Sequence, residues 1–260
     1  METTKFHFLN GLRPDRFFLL AGPCVIEDEA SPLFIAETLK NVCQKLDIPL
    51  VFKGSYRKAN RSRLDSFTGI GDEKALKVLQ RIGKEFELPV VTDIHATEEA
   101  AMAAEYVDIL QIPAFLCRQT DLLVAAARTG CIMNIKKAQF LSGRDMWYPV
   151  EKAREAGARE VWLTERGNMM GYNNLVVDFR NIPDMLEIVP TVIMDCTHSV
   201  QRPGGSDGKT GGDRRFVPKM ALAAKAFGAT GFFFEVHPDP DHGLSDAANM
   251  LELDKLEELV

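Results

Sequence analysis

The chain has 260 residues, of which 46% are hydrophobic and 26% are charged, and its net charge is −6. These proportions are typical of a globular protein with a sizeable core, and they exclude a disordered or fibrous chain. The acidic balance argues against a chain-wide surface for nucleic acid or anionic membrane, so we expect neither partner.

Two further features favour a cytoplasmic protein. The first long apolar run, residues 17–26, is interrupted by Gly22-Pro23 and is too short for a membrane span or a secretory signal. The five cysteines are odd in number, widely spaced and contain no CxxC pair, which favours reduced thiols. They are Cys24, Cys43, Cys117, Cys131 and Cys196.

Strand-like and helix-like segments alternate from one end of the chain to the other. Apolar, β-branched runs that end in polar or Gly/Pro residues predict strands at 16–24, 49–55, 89–95, 107–113, 131–136, 160–166, 191–199 and 231–237. Amphipathic segments between them predict helices at 31–46, 73–86, 97–105, 120–128, 147–156 and 215–227. Gly130, Gly157 and Gly228 follow three of these helices, as helix-ending glycines do.

Eight alternations without a linker or a dinucleotide fingerprint predict one (β/α)₈ TIM barrel over residues 1–260, with the active site at the carboxyl ends of the strands. Two stretches depart from the pattern. Residues 167–180 form an additional segment, and the glycine-rich residues 203–212 predict a mobile lid loop after strand seven. The last helix, at 253–260, is short.

Barrel closure would bring strands seven, eight and one together, and each ends in a metal-binding residue type. Cys24, His198 and Glu235 stand at these ends, and Asp246 follows in the next loop. This mixed donor set favours Zn, Fe or Mn over Mg or Ca. Each residue alone has an ordinary structural explanation, as a buried thiol or a hydrogen-bonded or ion-paired side chain. Three further residues are alternative ligands. They are Cys196, which the two-residue period of a strand places on the same face as His198, and also His237 and His242.

A second group of side chains at the strand ends is cationic. Fixed ammonium and guanidinium groups on one rim of an acidic protein predict a polyanionic ligand with more than one phosphate. For Arg63 and Lys137 alone, solvent exposure is the better interpretation, and Lys136 has an alternative role as a Schiff-base lysine. The group comprises Lys53, Lys58, Arg61, Arg63, Arg118, Lys136, Lys137 and Arg166.

Several motifs together resemble the 3-deoxy-D-manno-octulosonate 8-phosphate synthase (2-dehydro-3-deoxyphosphooctonate aldolase) family over nearly the whole chain. They are AGPCVIE (21–27), KANRS (58–62), TDIH (92–95), QIPAFLCRQTDLL (111–123), NIKKAQF (134–140), TERG (164–167), GYNNLVVDFR (171–180), DCTHSVQ (195–201), EVHPDPD (235–241) and LSDAANML (244–251). The AGPC motif is shared with the sister 3-deoxy-arabino-heptulosonate 7-phosphate synthases, whereas KANRS and FLCRQTDLL distinguish the two.

The resemblance implies a barrel enzyme, usually a homotetramer, that condenses phosphoenolpyruvate with D-arabinose 5-phosphate and water in lipopolysaccharide (Kdo) biosynthesis. It assigns the phosphoenolpyruvate to Lys53, Ser55, Lys58, Gln111, Lys136 and Arg166. It assigns binding of the sugar phosphate to Asn60, Arg61 and Ser62, with Asp93 contacting the sugar. Arg118 would be contributed by a neighbouring subunit. Cysteine after Ala-Gly-Pro marks the metal-dependent branch, with Cys24, His198, Glu235 and Asp246 as metal ligands. The resemblance then implies that the catalytic residues are Lys136, His198, Asp246 and Cys24.

Four positions depart from the family pattern. Arg57 replaces the usual aspartate, Arg63 replaces a small hydroxyl residue, and Met169 and Met170 replace a small residue and phenylalanine. The two arginines are expected to add positive charge beside the sugar-phosphate site. Arg57, Arg63 and Met170 leave open a sugar-phosphate-binding protein without turnover. The other alternative is the sister synthase acting on erythrose 4-phosphate, against which KANRS argues.

Overall fold

A computed structural model describes residues 17–61, 64–206, 209–245 and 247–259. Eight parallel strands form a closed barrel, because each strand pairs with the next and the last pairs with the first. The (β/α)₈ prediction is therefore confirmed. The strands are β1 (Phe18–Gly22), β2 (Leu50–Lys53), β3 (Val90–Asp93), β4 (Ile109–Ile112), β5 (Ile132–Lys136), β6 (Val161–Glu165), β7 (Val192–Asp195) and β8 (Gly231–His237).

Helices cover the outside of the barrel. They are α1 (Ser31–Leu46), α2 (Asp72–Phe86), α3 (Glu99–Ala104), α4 (Thr120–Arg128), α5 (Trp147–Glu155), α6 (Asn181–Leu186) and α7 (Val217–Ala226). A 3₁₀ helix, Leu253–Glu258, follows β8 in place of a long last helix. Glycines 130, 157 and 228 follow α4, α5 and α7 with φ of 77°, 101° and 90°, a backbone conformation that favours glycine.

The structure differs from the sequence prediction in the two irregular stretches. The additional segment contains a small antiparallel pair, Asn168–Met169 with Leu175–Val176, and it is followed by α6, which was not predicted. The predicted lid loop forms an antiparallel hairpin of Gln201–Ser206 and Lys209–Gly212. Strand pairing uses backbone groups, so a glycine-rich segment forms a hairpin without the apolar alternation that reveals a strand in the sequence.

The barrel interior changes character along its axis. At the amino-terminal end it is filled by buried apolar side chains, and the rings of Phe18 and Trp162 lie 5.3 Å apart, centroid to centroid. Toward the carboxyl ends of the strands the inward positions become polar. Gly22 ends β1 here, and a β-carbon on it would lie 1.9 Å from the carbonyl oxygen of Lys53, so only glycine allows β1 and β2 to approach this closely.

Among the described residues, no helix is both long enough and apolar enough to cross a membrane. The prediction that one domain spans residues 1–260 stays a prediction, because part of that range lies outside the described residues.

Candidate active site

A cavity of about 520 Å³ opens at the carboxyl ends of the barrel strands. Eleven of the residues predicted from the sequence line it, and they lie at the carboxyl ends of all eight strands or in the segments that follow them. These are Cys24, Lys53, Ser55, Lys58, Asn60, Asp93, Gln111, Lys136, Arg166, His198 and Glu235.

The alternation of strand residues explains why polar side chains meet there. Val91 and Ile109 belong to the apolar barrel interior, and the residues two positions later on the same faces are Asp93 and Gln111. The same spacing leads from Val51 to Lys53 and from Ile193 to Asp195. Because successive strand residues point to opposite faces, every second residue near a strand end faces into the cavity.

Lys53 is a fully buried cation beneath the cavity. Its ammonium donates to the carbonyl oxygen of Cys24 and to Ser55 Oγ, both at 2.9 Å, and lies 3.2 Å from Glu235 Oε1. Burial lowers the pKa of Lys53, but Glu235 and Asp93 outweigh that effect and the pKa stays above its ordinary value. Lys53 therefore brings a permanent positive charge to the site.

Hydrogen bonds link the polar side chains of neighbouring strands. Asp93 accepts from the Ser55 hydroxyl and from the Gln111 amide. The Gln111 oxygen in turn accepts from Asn134 at 3.0 Å, and Asn134 accepts from Thr164 at 2.7 Å. Every member is buried, so this network fixes the orientation of the Gln111 and Asp93 side chains before any ligand arrives.

Asp195 connects Lys136 with His198. Its Oδ2 atom lies 2.7 Å from Lys136 Nζ and 2.8 Å from His198 Nδ1, and its Oδ1 accepts the His198 backbone N–H at 2.8 Å. The Lys136 ammonium also lies 4.0 Å above the centre of the Phe233 ring. Burial raises the pKa of Asp195, but His198 and Lys136 outweigh it and hold that pKa well below its ordinary range.

Arg166 enters the cavity from the end of β6 and is 5% exposed. Its Nη2 atom donates to Gln201 Oε1 at 3.0 Å and to the His198 carbonyl oxygen at 3.3 Å. Gln201 belongs to the hairpin that was predicted as a lid loop, and Pro203 and Thr210 of that hairpin also line the cavity.

Sequence reasoning missed Asp195 and His95. Asp195 belongs to the DCTHSVQ motif and lies two residues after the inward-facing Ile193. Strand alternation therefore predicts that its side chain also faces inward, and this pattern could have identified it. His95 lines the cavity, and its backbone N–H donates to Glu99 Oε2 at 2.7 Å.

The prediction that Cys196 shares a face with His198 is wrong. The strand ends at Asp195, and His198 begins a 3₁₀ turn, so the two-residue period does not continue between them. Cys196 is completely buried in the layer between barrel and helices, where its thiol lies 3.6 Å from the Met194 carbonyl oxygen. Of the other alternative ligands, His237 lies beside Glu27 and His242 beside Asp239, at 3.9 and 2.7 Å.

Two of the predicted residues that the structure describes do not line the cavity. Arg61 and Arg118 are exposed beyond the ends of β2 and β4. Ser62 and Asp246 lie outside the described residues. Within the described ranges no three His, Cys, Asp or Glu side chains converge as a metal-binding group, although Cys24, His198 and Glu235 share the cavity.

Comparison with known proteins shows to which family the chain belongs. A family model described as the DAHP synthetase I family matches residues 5–260. The chain is 54% identical to the 2-dehydro-3-deoxyphosphooctonate aldolase of Koribacter versatilis, over 92% of this chain and 86% of the relative. It is 50% identical to that of Geobacter metallireducens, over 95% and 90% of the two chains. The chain belongs to the DAHP synthetase I family. Both of these relatives are named 2-dehydro-3-deoxyphosphooctonate aldolase.

Arg57, one of the positions predicted to depart from the family pattern, lies among carboxylates in the structure. The Arg57 guanidinium lines the cavity but forms an ion pair with Glu99 and lies 3.6 Å from Asp72. Tyr56 donates its hydroxyl to the same Glu99 at 2.6 Å. Two carboxylates therefore offset the positive charge that the sequence led us to expect from Arg57. Met169 lines the cavity and Met170 is exposed, whereas Arg63 lies outside the described residues.

Acid is expected to destabilise this family member through Asp195. Its folded pKa is depressed, so the stabilisation is present above the unfolded value near pH 4 and is lost as the pH falls toward the folded pKa. We expect this group to remove about 1.4 kcal/mol from the free energy of unfolding for each pH unit below about 4. Urea unfolding at pH 5, 4 and 3 measures this loss. The free energy of unfolding of Asp195→Asn should depend less steeply on pH. Equal pH dependence in the two proteins would show that Asp195 is not the source of the loss.

Proposed function

We propose that the protein condenses phosphoenolpyruvate with D-arabinose 5-phosphate and water, giving 3-deoxy-D-manno-octulosonate 8-phosphate and phosphate in lipopolysaccharide (Kdo) biosynthesis. The observation that carries this proposal is the cavity itself. In a chain of net charge −6, the side chains of Lys53, Lys136 and Arg166 are buried around one opening at the barrel rim. Such cations suit two anionic substrates, and relatives about 50% identical bear the name of this activity.

The proposed chemistry forms one carbon–carbon bond and, at the carbon that bears the phosphate, replaces the carbon–oxygen bond to phosphate by one to the oxygen of water. The enol carbon of phosphoenolpyruvate attacks the sugar aldehyde, water adds to the carbon that bears the phosphate, and phosphate leaves. The chain supplies orientation and charge neutralisation through side chains that are fixed beforehand. Lys53, Ser55, Lys58, Gln111, Lys136 and Arg166 would hold phosphoenolpyruvate, and Asn60, Arg61 and Ser62 the sugar phosphate, with Asp93 at the sugar.

A divalent metal ion, Zn, Fe or Mn, forms part of the proposal, with Cys24, His198, Glu235 and Asp246 as its ligands. The donor set fits: Glu235 Oε2 is buried and has no hydrogen-bond partner among the described residues, and His198 Nε2 lies 3.6 Å from Glu235 Oε1. Asp195 at Nδ1 fixes the His198 ring, as carboxylates behind metal-binding histidines do. When bound, such an ion would polarise the aldehyde or position the water.

A phosphate-release assay tests the proposal. The protein is incubated with phosphoenolpyruvate and either arabinose 5-phosphate or erythrose 4-phosphate, before and after chelation and with divalent metal added back. We expect arabinose-dependent release that chelation removes and metal restores. Release with erythrose 4-phosphate alone would favour the sister synthase, release that resists chelation would contradict the metal, and no release with either sugar would favour a non-catalytic binding protein.

The proposed assembly is a cytoplasmic homotetramer in which Arg118 reaches the sugar phosphate of a neighbouring subunit. Arg118 is exposed and does not line the cavity of its own chain, which agrees with a role across an interface. Arg118→Ala is expected to raise the KM for arabinose 5-phosphate about tenfold or more, because a charge-assisted phosphate contact is lost. Steady-state kinetics with each substrate varied in turn measure this effect. An unchanged KM would mean that Arg118 does not contact the sugar phosphate.

A further inference from the structure

Behind the cavity wall, a lysine and a glutamate are buried together at the ends of β5 and β6. Lys137 and Glu165 are both 0% exposed, and neither lines the cavity. Each immediately adjoins a cavity residue, Lys136 in one case and Arg166 in the other. Strand alternation accounts for this arrangement, because neighbours along a strand point to opposite faces. The pair therefore occupies the outer face of the strands whose inner face carries the proposed phosphoenolpyruvate site.

Within the described residues, Glu165 forms its hydrogen bonds through one of its two oxygens. Its Oε1 atom accepts the backbone N–H of Arg166 at 2.9 Å and that of Gly167 at 2.6 Å, and lies 3.4 Å from Lys137 Nζ. These two N–H groups stand where β6 ends and the chain turns, with φ of 88° at Gly167. A buried N–H without an acceptor is costly, so an apolar side chain at position 165 would leave this turn poorly held.

Lys137 connects the same turn to the loop that follows β5. Its ammonium donates to the Leu141 carbonyl oxygen at 3.0 Å and to Asn168 Oδ1 at 2.9 Å. Asn168 also donates to the Leu141 carbonyl oxygen at 2.8 Å. The segments after β5 and β6 are thus joined behind the cavity by buried polar contacts, and such contacts hold a backbone in one arrangement.

We propose that Glu165 is a positioning residue for Arg166, setting the backbone from which the guanidinium reaches into the cavity. The inference rests on the proposed function only in taking Arg166 as a ligand of phosphoenolpyruvate. Arg166 is already directed by Gln201 and the His198 carbonyl oxygen at its far end. Glu165 fixes the near end, so both ends of this side chain are held before the substrate binds, which reduces the cost of ordering it.

Glu165→Ala and Glu165→Gln separate the acceptor from the charge. Alanine removes the acceptor, whereas glutamine keeps an oxygen at the Oε1 position, loses the charge and replaces the second oxygen by an NH₂ group. Binding of phosphoenolpyruvate to the metal-supplemented enzyme is measured by calorimetry, together with KM for each substrate. We expect alanine to weaken phosphoenolpyruvate binding about tenfold or more while KM for the sugar phosphate changes less than about threefold, and glutamine to remain within about threefold of the original protein.

Glu160→Ala is the matched control, since Glu160 lies just before β6 at its other end and accepts from Trp162 Nε1 at 3.1 Å. It should lower stability and leave phosphoenolpyruvate binding unchanged. If Glu165→Ala does not fold, Lys137→Met with Glu165→Leu removes the acceptor without leaving a lone buried charge, and the same loss is expected.

Two results would overturn the inference: unchanged phosphoenolpyruvate binding without the acceptor, or equal weakening for both substrates. Failure of the original protein to bind phosphoenolpyruvate would instead count against the proposed function.

Discussion

Lys136→Met is expected to lower kcat about 10³-fold, because it removes a fixed cation from the place where the proposed reaction develops negative charge. The Lys136 ammonium is 2.7 Å from Asp195 and 4.0 Å above the Phe233 ring, so it has little freedom to move. Methionine has a similar length, and Asp195 keeps its contacts with the His198 ring and backbone. The barrel should therefore remain folded while turnover is lost. Steady-state kinetics and thermal unfolding together measure the two effects.

Two further variants sharpen this prediction. Lys136→Arg keeps a cation and should retain more activity than methionine, whereas a Schiff-base lysine tolerates neither change. Lys77→Met is the control, because Lys77 is an exposed lysine on α2 whose ammonium pairs with Glu73 Oε1 at 2.6 Å. A kcat within tenfold of the original protein for Lys136→Met would remove Lys136 from the catalytic residues.

Cys24→Ala is expected to abolish binding of the proposed metal ion and to lower kcat by ~10³-fold, the equivalent of several kcal/mol of lost transition-state stabilisation. Cys24 is 2% exposed at the cavity, and its thiol lies 3.2 Å from the Lys58 ammonium. Alanine is smaller and apolar, so the backbone of the AGPC turn is retained. Metal content by elemental analysis and phosphate release with added metal are the measurements.

Cys43→Ala is the matched control for the thiol. Cys43 lies on α1 in the outer core, and burial raises the pKa of its thiol to about 12. Its loss should lower stability by about 1 kcal/mol and leave metal content and activity unchanged. Full activity of Cys24→Ala without bound metal would end the proposal that this cysteine is a ligand.

The sequence predicted the barrel and most of the cavity for the same reason. Strand alternation, repeated eight times, determines both the closed sheet and the side of each strand that faces inward, and the polar residues at the strand ends follow from it. Strand alternation placed Arg118 after β4, whereas its contact with the sugar phosphate of a neighbouring subunit stays a prediction from the family resemblance. Cys196 was misplaced because the strand ended three residues before His198.

Features that depend on contacts between distant segments were not predictable. The six-residue helix α6 is too short to display a helical period, and the Gln201–Gly212 hairpin is too rich in glycine to display a strand period. The pairing of Arg57 with Glu99 joins residues 42 positions apart. Likewise, Lys137 was expected to be solvated, whereas it is buried against Glu165. Charged residue types alone do not reveal such partners.

The aromatic filling of the lower barrel has a consequence for the order of events. Phe18, Trp162 and Phe233 occupy the interior beneath the polar layer, so the cavity has a floor. In the described part of the chain, both substrates and both products of the proposed reaction then pass through one mouth, framed by the segment after β2 and by the Gln201–Gly212 hairpin. A ligand bound near Phe233 has to arrive before a ligand bound at the mouth and leave after it. The shape of the barrel therefore sets the order in which substrates bind and products leave.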